Sequence, residues 1–230
     1  MRLTVVGCAG SFPNAASPAS CYLVEHDGHR ILLDLGNGSL GALQSFVNLD
    51  DDASLDAVLL SHCHVDHCVD VASLYVQRTY HPARTFTPLT IAGPSVARDR
   101  LASIYGLEDA SALDAVFAFD LLPDIREVGP FTITTIPAAH PVESYSIRID
   151  AGGSSMVYSG DTGPNPAFEA LASGCDLALL EASFVGADNP PGVHLSGGDA
   201  GSIALRAHVG ELLLTHLVAW NDDDTVLAEA

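Results

Sequence analysis

Lysine is absent from this 230-residue chain: its nine basic side chains are all arginine, set against 29 aspartates and glutamates. The formal charge of −20 repels nucleic-acid backbones and anionic membranes, because non-specific phosphate binding depends on Lys and Arg. Extended nucleic acid is therefore not expected as a partner. A small anionic ligand held by a metal stays compatible, since a local divalent charge outweighs the far field. Long apolar runs are missing too, none approaching the ~18–20 residues that span a bilayer. The opening MRLTVVGCAGSFPN carries too short an apolar run for a signal peptide, so no membrane association and a cytoplasmic location are expected. Cysteine is scarce, and five of them without regular spacing exclude a disulfide framework. Cys63 and Cys68, five apart and without a second pair, do not form a zinc knuckle and read as small apolar core residues. Charged residues make up only 17% and hydrophobic ones 48%, which is the balance of a folded chain and not a disordered one. The length suits one domain over 1–230.

What is present alternates between strand-like and helix-like stretches. LTVVG (3–7), SCYLVEH (20–26) and HRILLDLG (29–36) read as strands, the last two joined at Asp27-Gly28, a hairpin signal. LDAVLLS (55–61) reads as a buried strand, and 68–80 has helical spacing. Residues 131–140 read as a strand and 144–162 as a hairpin turning at Gly152-Gly153. Then follow a short helix over 165–174, a strand over 176–183, a helix over 196–210 ended by Gly210, and a strand over 211–216. The glycine-rich turn GCAGS (7–11) reads as closing a hairpin. His26, His29, His81 and His208 read as surface or helix-end residues.

SHCHVDHC (61–68) packs three of the ten histidines, an aspartate and two cysteines into eight positions. Imidazoles fill a core poorly and each buried nitrogen needs a partner, so this density points to metal ligation. Further donors follow other strand-like runs: His140, Asp161 in YSGDTG, His194 in GVHLSG and His216 in LLLTH. All are nitrogen or carboxylate oxygen, which suits Zn²⁺, with Mn²⁺ or Fe²⁺ as alternatives, at a catalytic site. Residues two apart in an extended segment point the same way, so His62 and His64 can clasp one ion, completed by His140. Asp66 and His67, where the chain turns into a helix, reach a second ion completed by His216, and Asp161 bridges the pair. Two ions ~3.5–4 Å apart polarise an oxygen and hold a hydroxide for hydrolysis. Asp34 and Glu181, each ending an apolar run, are candidates to fix histidine tautomers, with capping contacts as the alternative.

The order H-x-H-x-D-H, then His140, Asp161 in SGDT and His216 in LTH resembles the metallo-β-lactamase fold superfamily over nearly the whole chain. GVHLSGGDAG, GCAGSFPN, ILLDLGNG and LLEASF resemble its ribonuclease Z branch, most of all the short bacterial members regarded as cyclic-nucleotide phosphodiesterases. The resemblance implies an α/β fold, an αββα sandwich of two facing mixed sheets flanked by helices, and a homodimer. It also implies a metal-dependent phosphodiesterase acting on small diesters such as cyclic AMP. In that scheme Asp66 takes the proton of the attacking water, and His194, the extra histidine of this branch, is the general acid. Thioester or lactam hydrolysis is the alternative, because those relatives need no general acid at His194. Ribonuclease Z proper inserts a basic arm before the bridging aspartate. Only twenty residues separate His140 from Asp161 here, so transfer-RNA processing is disfavoured. The chain also runs only fourteen residues past His216, where relatives continue through closing strands, so either a shortened copy or a differently built C-terminal edge is expected.

Overall fold

Tyr22, Val24, Ile31 and Leu33 face one layer of core while Leu23 and Leu32 face another, because successive side chains of a strand point to opposite sides of its sheet. That alternation, repeated in strand after strand, builds two sheets with apolar matter on both faces. The computed structural model describes residues 1–125, 127–186, 190 and 192–230. Its first half runs β1 (Arg2–Gly7), β2 (Ala9–Gly10), β3 (Cys21–His26), β4 (His29–Leu33), α1 (Ser39–Leu43), β5 (Ala57–Leu59), α2 (Val65–Cys68), α3 (Asp70–Tyr80), β6 (Leu89–Gly93), α4 (Ala97–Tyr105) and β7 (Phe117–Leu121). The second half runs β8 (Glu127–Val128), β9 (Phe131–Pro137), β10 (Tyr145–Ala151), β11 (Ser154–Tyr158), α5 (Pro166–Ala172), β12 (Leu177–Glu181), α6 (Gly197–Arg206), β13 (Glu211–Thr215), β14 (Leu217–Val218) and α7 (Asp223–Glu229).

The first sheet has the order β1-β3-β4-β5-β6-β7 and the second β13-β12-β11-β10-β9-β8. Both are mixed: β1, β3 and β4 pair antiparallel and β4 to β7 parallel, while β8 to β11 pair antiparallel and β11 to β13 parallel. Between the sheets lie Tyr22, Ile31, Leu33 and Leu59 from one side and Phe131, Ile147, Met156 and Tyr158 from the other. Outside the first sheet, Val71, Leu74 and Leu101 of α3 and α4 pack on Leu23, Leu32 and Val58. Outside the second, Phe168, Ala172, Ala200 and Ile203 of α5 and α6 pack on Val157, Ala178 and Leu180. The result is the αββα sandwich.

Several boundaries differ from the sequence reading for identifiable reasons. The helix expected over 68–80 is two segments, α2 and α3, meeting at Val69. The helix expected to reach Gly210 stops at Arg206, and the left-handed residue beyond it is His208 at φ 54°. Gly210 serves instead for close approach, since a Cβ there would lie 2.7 Å from the Asp176 carbonyl oxygen. GCAGS closes no hairpin: β2 pairs parallel with β14, joining the two ends of the chain. Beyond His216 the described chain adds β14 and α7, the latter packed on α6, and contributes no further strand to either large sheet.

Candidate functional site

Each candidate ligand stands just beyond the end of a strand. His62 and His64 follow β5, with His64 still extended (φ −71°, ψ 154°) as the residue that enters α2. Asp66 and His67 occupy α2, His140 follows β9, Asp161 follows β11, and His216 follows β13. These loops meet at one edge of the sandwich because the two sheets face each other there, which is where layered α/β folds gather their sites. Backbone strain concentrates at the same edge. Of the five non-glycine residues with positive φ among the described residues, three belong to it: Ser11, Asp34 and His216. Gly160, at φ 58°, admits Asp161 to the site. A Cβ there would come within 2.9 Å of the Tyr145 carbonyl oxygen and 3.0 Å of the Ser61 Cβ.

Among the described residues three groups of donors form, each with its ligand atoms within 4.8 Å of one another: His62, His64, His140 and Asp161; Asp66, His67, Asp161 and His216; and Glu181, His194 and His216, of which the first two carry the candidate ligands. In the first, Nδ1 of His64 lies 3.0 Å from Nε2 of His62 and 3.3 Å from Nε2 of His140. The carboxylate of Asp161 spans both groups, with Oδ2 at 3.6 Å from His62 Nε2 and Oδ1 at 3.2 Å from His67 Nε2 and 3.4 Å from His216 Nε2. Asp66 Oδ2 closes the second group at 3.0 Å from His216 Nε2 and accepts the Ser11 amide at 2.8 Å.

Hydrogen bonds on the far side of each ring fix which nitrogen faces inward. The Nδ1–H of His62 donates to Ser61 Oγ at 3.1 Å, and that of His140 to the Val193 carbonyl at 3.2 Å. His67 donates Nδ1–H to Asp34 Oδ2 at 2.8 Å, and His216 donates Nδ1–H to Ser183 Oγ at 2.6 Å, whose hydroxyl in turn donates to Glu181 at 2.8 Å. Nε2 is then the free lone pair in all four. Asp34 is fully buried and takes three more donors: the Ser61 amide at 2.7 Å, Ser61 Oγ at 2.8 Å and the Tyr158 hydroxyl at 2.7 Å. Glu181 is equally buried and accepts the Thr162 amide at 2.6 Å and His194 Nδ1 at 3.0 Å.

The fit to metal is tested by the polar atoms left over. His67 Nε2 and Asp161 Oδ1 are buried and have no hydrogen-bond partner although they face each other. Two buried acceptor atoms that face each other need a proton or a metal ion between them. The electrostatics agree. Burial acts to lower the His67 pKa, yet the carboxylates of Asp161 and then Asp34 raise it well above the usual imidazole value. His62 lacks that surplus of carboxylate, and burial followed by the neighbouring His67 pushes it well down. The site demands positive charge and offers N and O donors, the set of Zn²⁺, Mn²⁺ or Fe²⁺.

His194 sits beside both groups, its ring stacked over His216 at a centroid separation of 5.6 Å and its Nδ1 3.9 Å from Asp161 Oδ2. It lines a cleft of about 650 Å³ together with Pro164, Gly192, Ser196 and Asp199. Burial acts to lower its pKa, but the hydrogen bond and charge of Glu181, and then Asp161, outweigh this and raise it. Sequence reasoning missed Ser11, Ser61, Tyr158, Thr162 and Ser183, because nothing local distinguishes a serine or tyrosine that bonds across the fold. Cys63 and Cys68 are buried in the core outside the first sheet, as expected.

The family described as Beta-lactamase superfamily domain matches residues 29–217. The chain belongs to that superfamily. It is 33% identical over 232 residues to "Probable metallo-hydrolase YhfI" of Bacillus subtilis, covering 100% of this chain and 92% of YhfI. The crystal structure described as the metallo-β-lactamase fold protein YhfI superposes with a TM-score of 0.84 at 32% identity, covering 99% of this chain and 90% of that one. An uncharacterized Mycobacterium tuberculosis protein is 43% identical over 239 residues, with 100% and 85% covered. Ribonuclease Z of Bradyrhizobium diazoefficiens is 25% identical over 287 residues, with 99% and 93% covered. The chain is thus a metallo-hydrolase of the β-lactamase superfamily with ribonuclease Z among its homologues, and its His/Asp clusters suit metal binding. No helix among the described residues is long and apolar enough to cross a membrane.

Proposed function

We propose that the protein is a metal-dependent phosphodiesterase hydrolysing small phosphodiesters, cyclic nucleotides such as cyclic AMP foremost, with two divalent ions of which zinc is the first choice. His62, His64 and His140 would hold one ion and Asp66, His67 and His216 the other, with the Asp161 carboxylate shared by both donor groups. When bound, such a pair polarises phosphate oxygens and acidifies water. Asp66, held by the Ser11 amide, is aimed to take the proton of the attacking water.

The observation that carries the reading is His194 fixed on buried Glu181 at 3.0 Å beside both donor groups. Nδ1 is engaged, so the opposite edge of the ring is free to deliver a proton from Nε2. A protonated imidazole there serves an alkoxide, the poor leaving group of a ribose diester. Thioester cleavage releases a thiolate that needs no such donor, which favours phosphodiesters over the thioester alternative. The stretch between His140 and Asp161 is one hairpin, β10–β11, with no arm to grip RNA, and the chain is strongly acidic.

The test is hydrolysis of 3′,5′-cyclic AMP by metal-reconstituted protein beside Asp161→Ala and His194→Ala. Formation of AMP that Asp161→Ala abolishes and His194→Ala slows by ~10²-fold or more supports the mechanism. A protein that binds two ions yet cleaves neither cyclic AMP nor an activated diester sinks it.

A further inference from the structure

A second cleft, of about 530 Å³, opens beside the site and is lined by Cys63, His64, Val96, Asp99, Arg100, Val142 and Glu143. It is large enough for a small ligand, and it shares His64 with the first donor group. Its other walls come from the start of α4 and from the loop after His140. Glu143 ties these together, accepting the Ser95 amide at 3.1 Å, Ser95 Oγ at 2.6 Å and the Tyr145 hydroxyl at 2.8 Å. Glu143 is thus committed to structure. Val96 and Val142 instead present apolar surface to the cleft at 52% and 41% exposure, from two separate segments.

Arg100 is the unusual member. Arg2, Arg30, Arg78, Arg98, Arg148 and Arg206 all pair with carboxylates. Among the described residues, Arg84, which lies outside the cleft, and Arg100 have no carboxylate within ion-pair distance, in a chain whose acids far outnumber its bases. An unpaired guanidinium and the Asp99 carboxylate line the same cleft, one a donor and the other an acceptor.

We propose that this cleft is the base-recognition subsite of the enzyme and that it selects adenine, with the purine against Val96 and Val142, its N7 accepting from Arg100 and its 6-amino group donating to Asp99. Adenine presents an acceptor and a donor side by side on that edge, whereas guanine presents two acceptors. The O6 of guanine meets a carboxylate in this arrangement, so discrimination comes from repulsion as well as attraction. The inference rests on the phosphodiesterase reading for the position of the phosphate, which the donor groups beside His64 would hold.

The test has two arms. Calorimetry with the metal-loaded protein measures binding of AMP and GMP, the products of cyclic nucleotide cleavage. AMP is expected to bind about tenfold tighter than GMP, Arg100→Ala to weaken AMP about tenfold, and Asp99→Asn to narrow the AMP-to-GMP ratio. Both side chains are exposed, so neither substitution threatens folding. In the kinetic arm, Arg100→Ala should lower kcat/KM for cyclic AMP about tenfold relative to that for methyl 4-nitrophenyl phosphate, a diester without a base. AMP affinity that Arg100→Ala does not move, or equal binding of AMP and GMP, overturns the subsite whatever the kinetics. Arg100-dependent AMP binding by a protein that cleaves neither diester leaves the subsite standing and removes the phosphodiesterase reading.

Discussion

Replacing Asp34 by asparagine tests how the buried carboxylate governs metal binding two shells of contact away. Position 34 has φ 58°, a conformation asparagine tolerates, so the backbone is not the variable. All four of its partners are donors: the Ser61 amide on Oδ1, and Ser61 Oγ, His67 Nδ1 and the Tyr158 hydroxyl on Oδ2. The Ser61 amide has only a hydrogen to offer, so the asparagine carbonyl must face it and the NH₂ must face His67. The two hydroxyls can rotate to accept. His67 can accept only by moving its proton from Nδ1 to Nε2, which points that proton at Asp161 Oδ1, 3.2 Å away, and removes the inward lone pair. Loss of a hydrogen bond that orients a ligand costs about 10–100-fold in metal affinity, or about 1.4–2.7 kcal/mol. The assay is competition against a chromophoric chelator, with zinc content followed ion by ion. One of two ions should weaken by that factor while the ion at His62, His64 and His140 is nearly unaffected. Wild-type affinity for both ions in Asp34→Asn refutes the tautomer reasoning.

Other expectations follow from the same geometry. His194 acts protonated and its pKa is raised, so kcat on an unactivated diester should fall as pH rises through that raised value. Glu181→Gln removes the main raising partner and should move this descending limb to lower pH; a limb that stays put in the kcat–pH profile refutes the pairing. Stripping the ions leaves His67 Nε2 and Asp161 Oδ1 buried and unpartnered, so a chelator should lower Tm. At a hundred times Kd each ion contributes about 2.7 kcal/mol, or roughly 5–10 °C at ~2–4 °C per kcal/mol, read by scanning calorimetry with and without zinc. Phe168→Ala empties a fully buried site in the outer layer under α5 and should cost ~3–5 kcal/mol in urea denaturation. Because that core cluster contains none of the candidate ligands, metal affinity of the folded variant should stay unchanged.

The sequence by itself determined the donor atoms. Histidine and aspartate are the few side chains that suit a catalytic divalent site, and their local spacing after apolar runs is visible without a fold: His62, His64, Asp66 and His67 on one loop, His140, Asp161 and His216 after three other strands. The alternation of apolar residues likewise made the strands legible, as did the Asp27-Gly28 and Gly152-Gly153 turns. Less legible were α1, β6, α4 and β7, which lie in stretches without a clean period or turn signal. Tertiary structure decided which nitrogens face inward. That choice depends on Tyr158 reaching Asp34 from 124 residues away and on Ser183 linking His216 to Glu181 from another strand end. It also decided that Arg100 lines one cleft with His64 while no carboxylate of the described residues comes within ion-pair distance of it. Metal donors announce themselves because few residue types can do their chemistry; their supports are ordinary serines, tyrosines and arginines, whose role comes only from what the folded chain brings next to them.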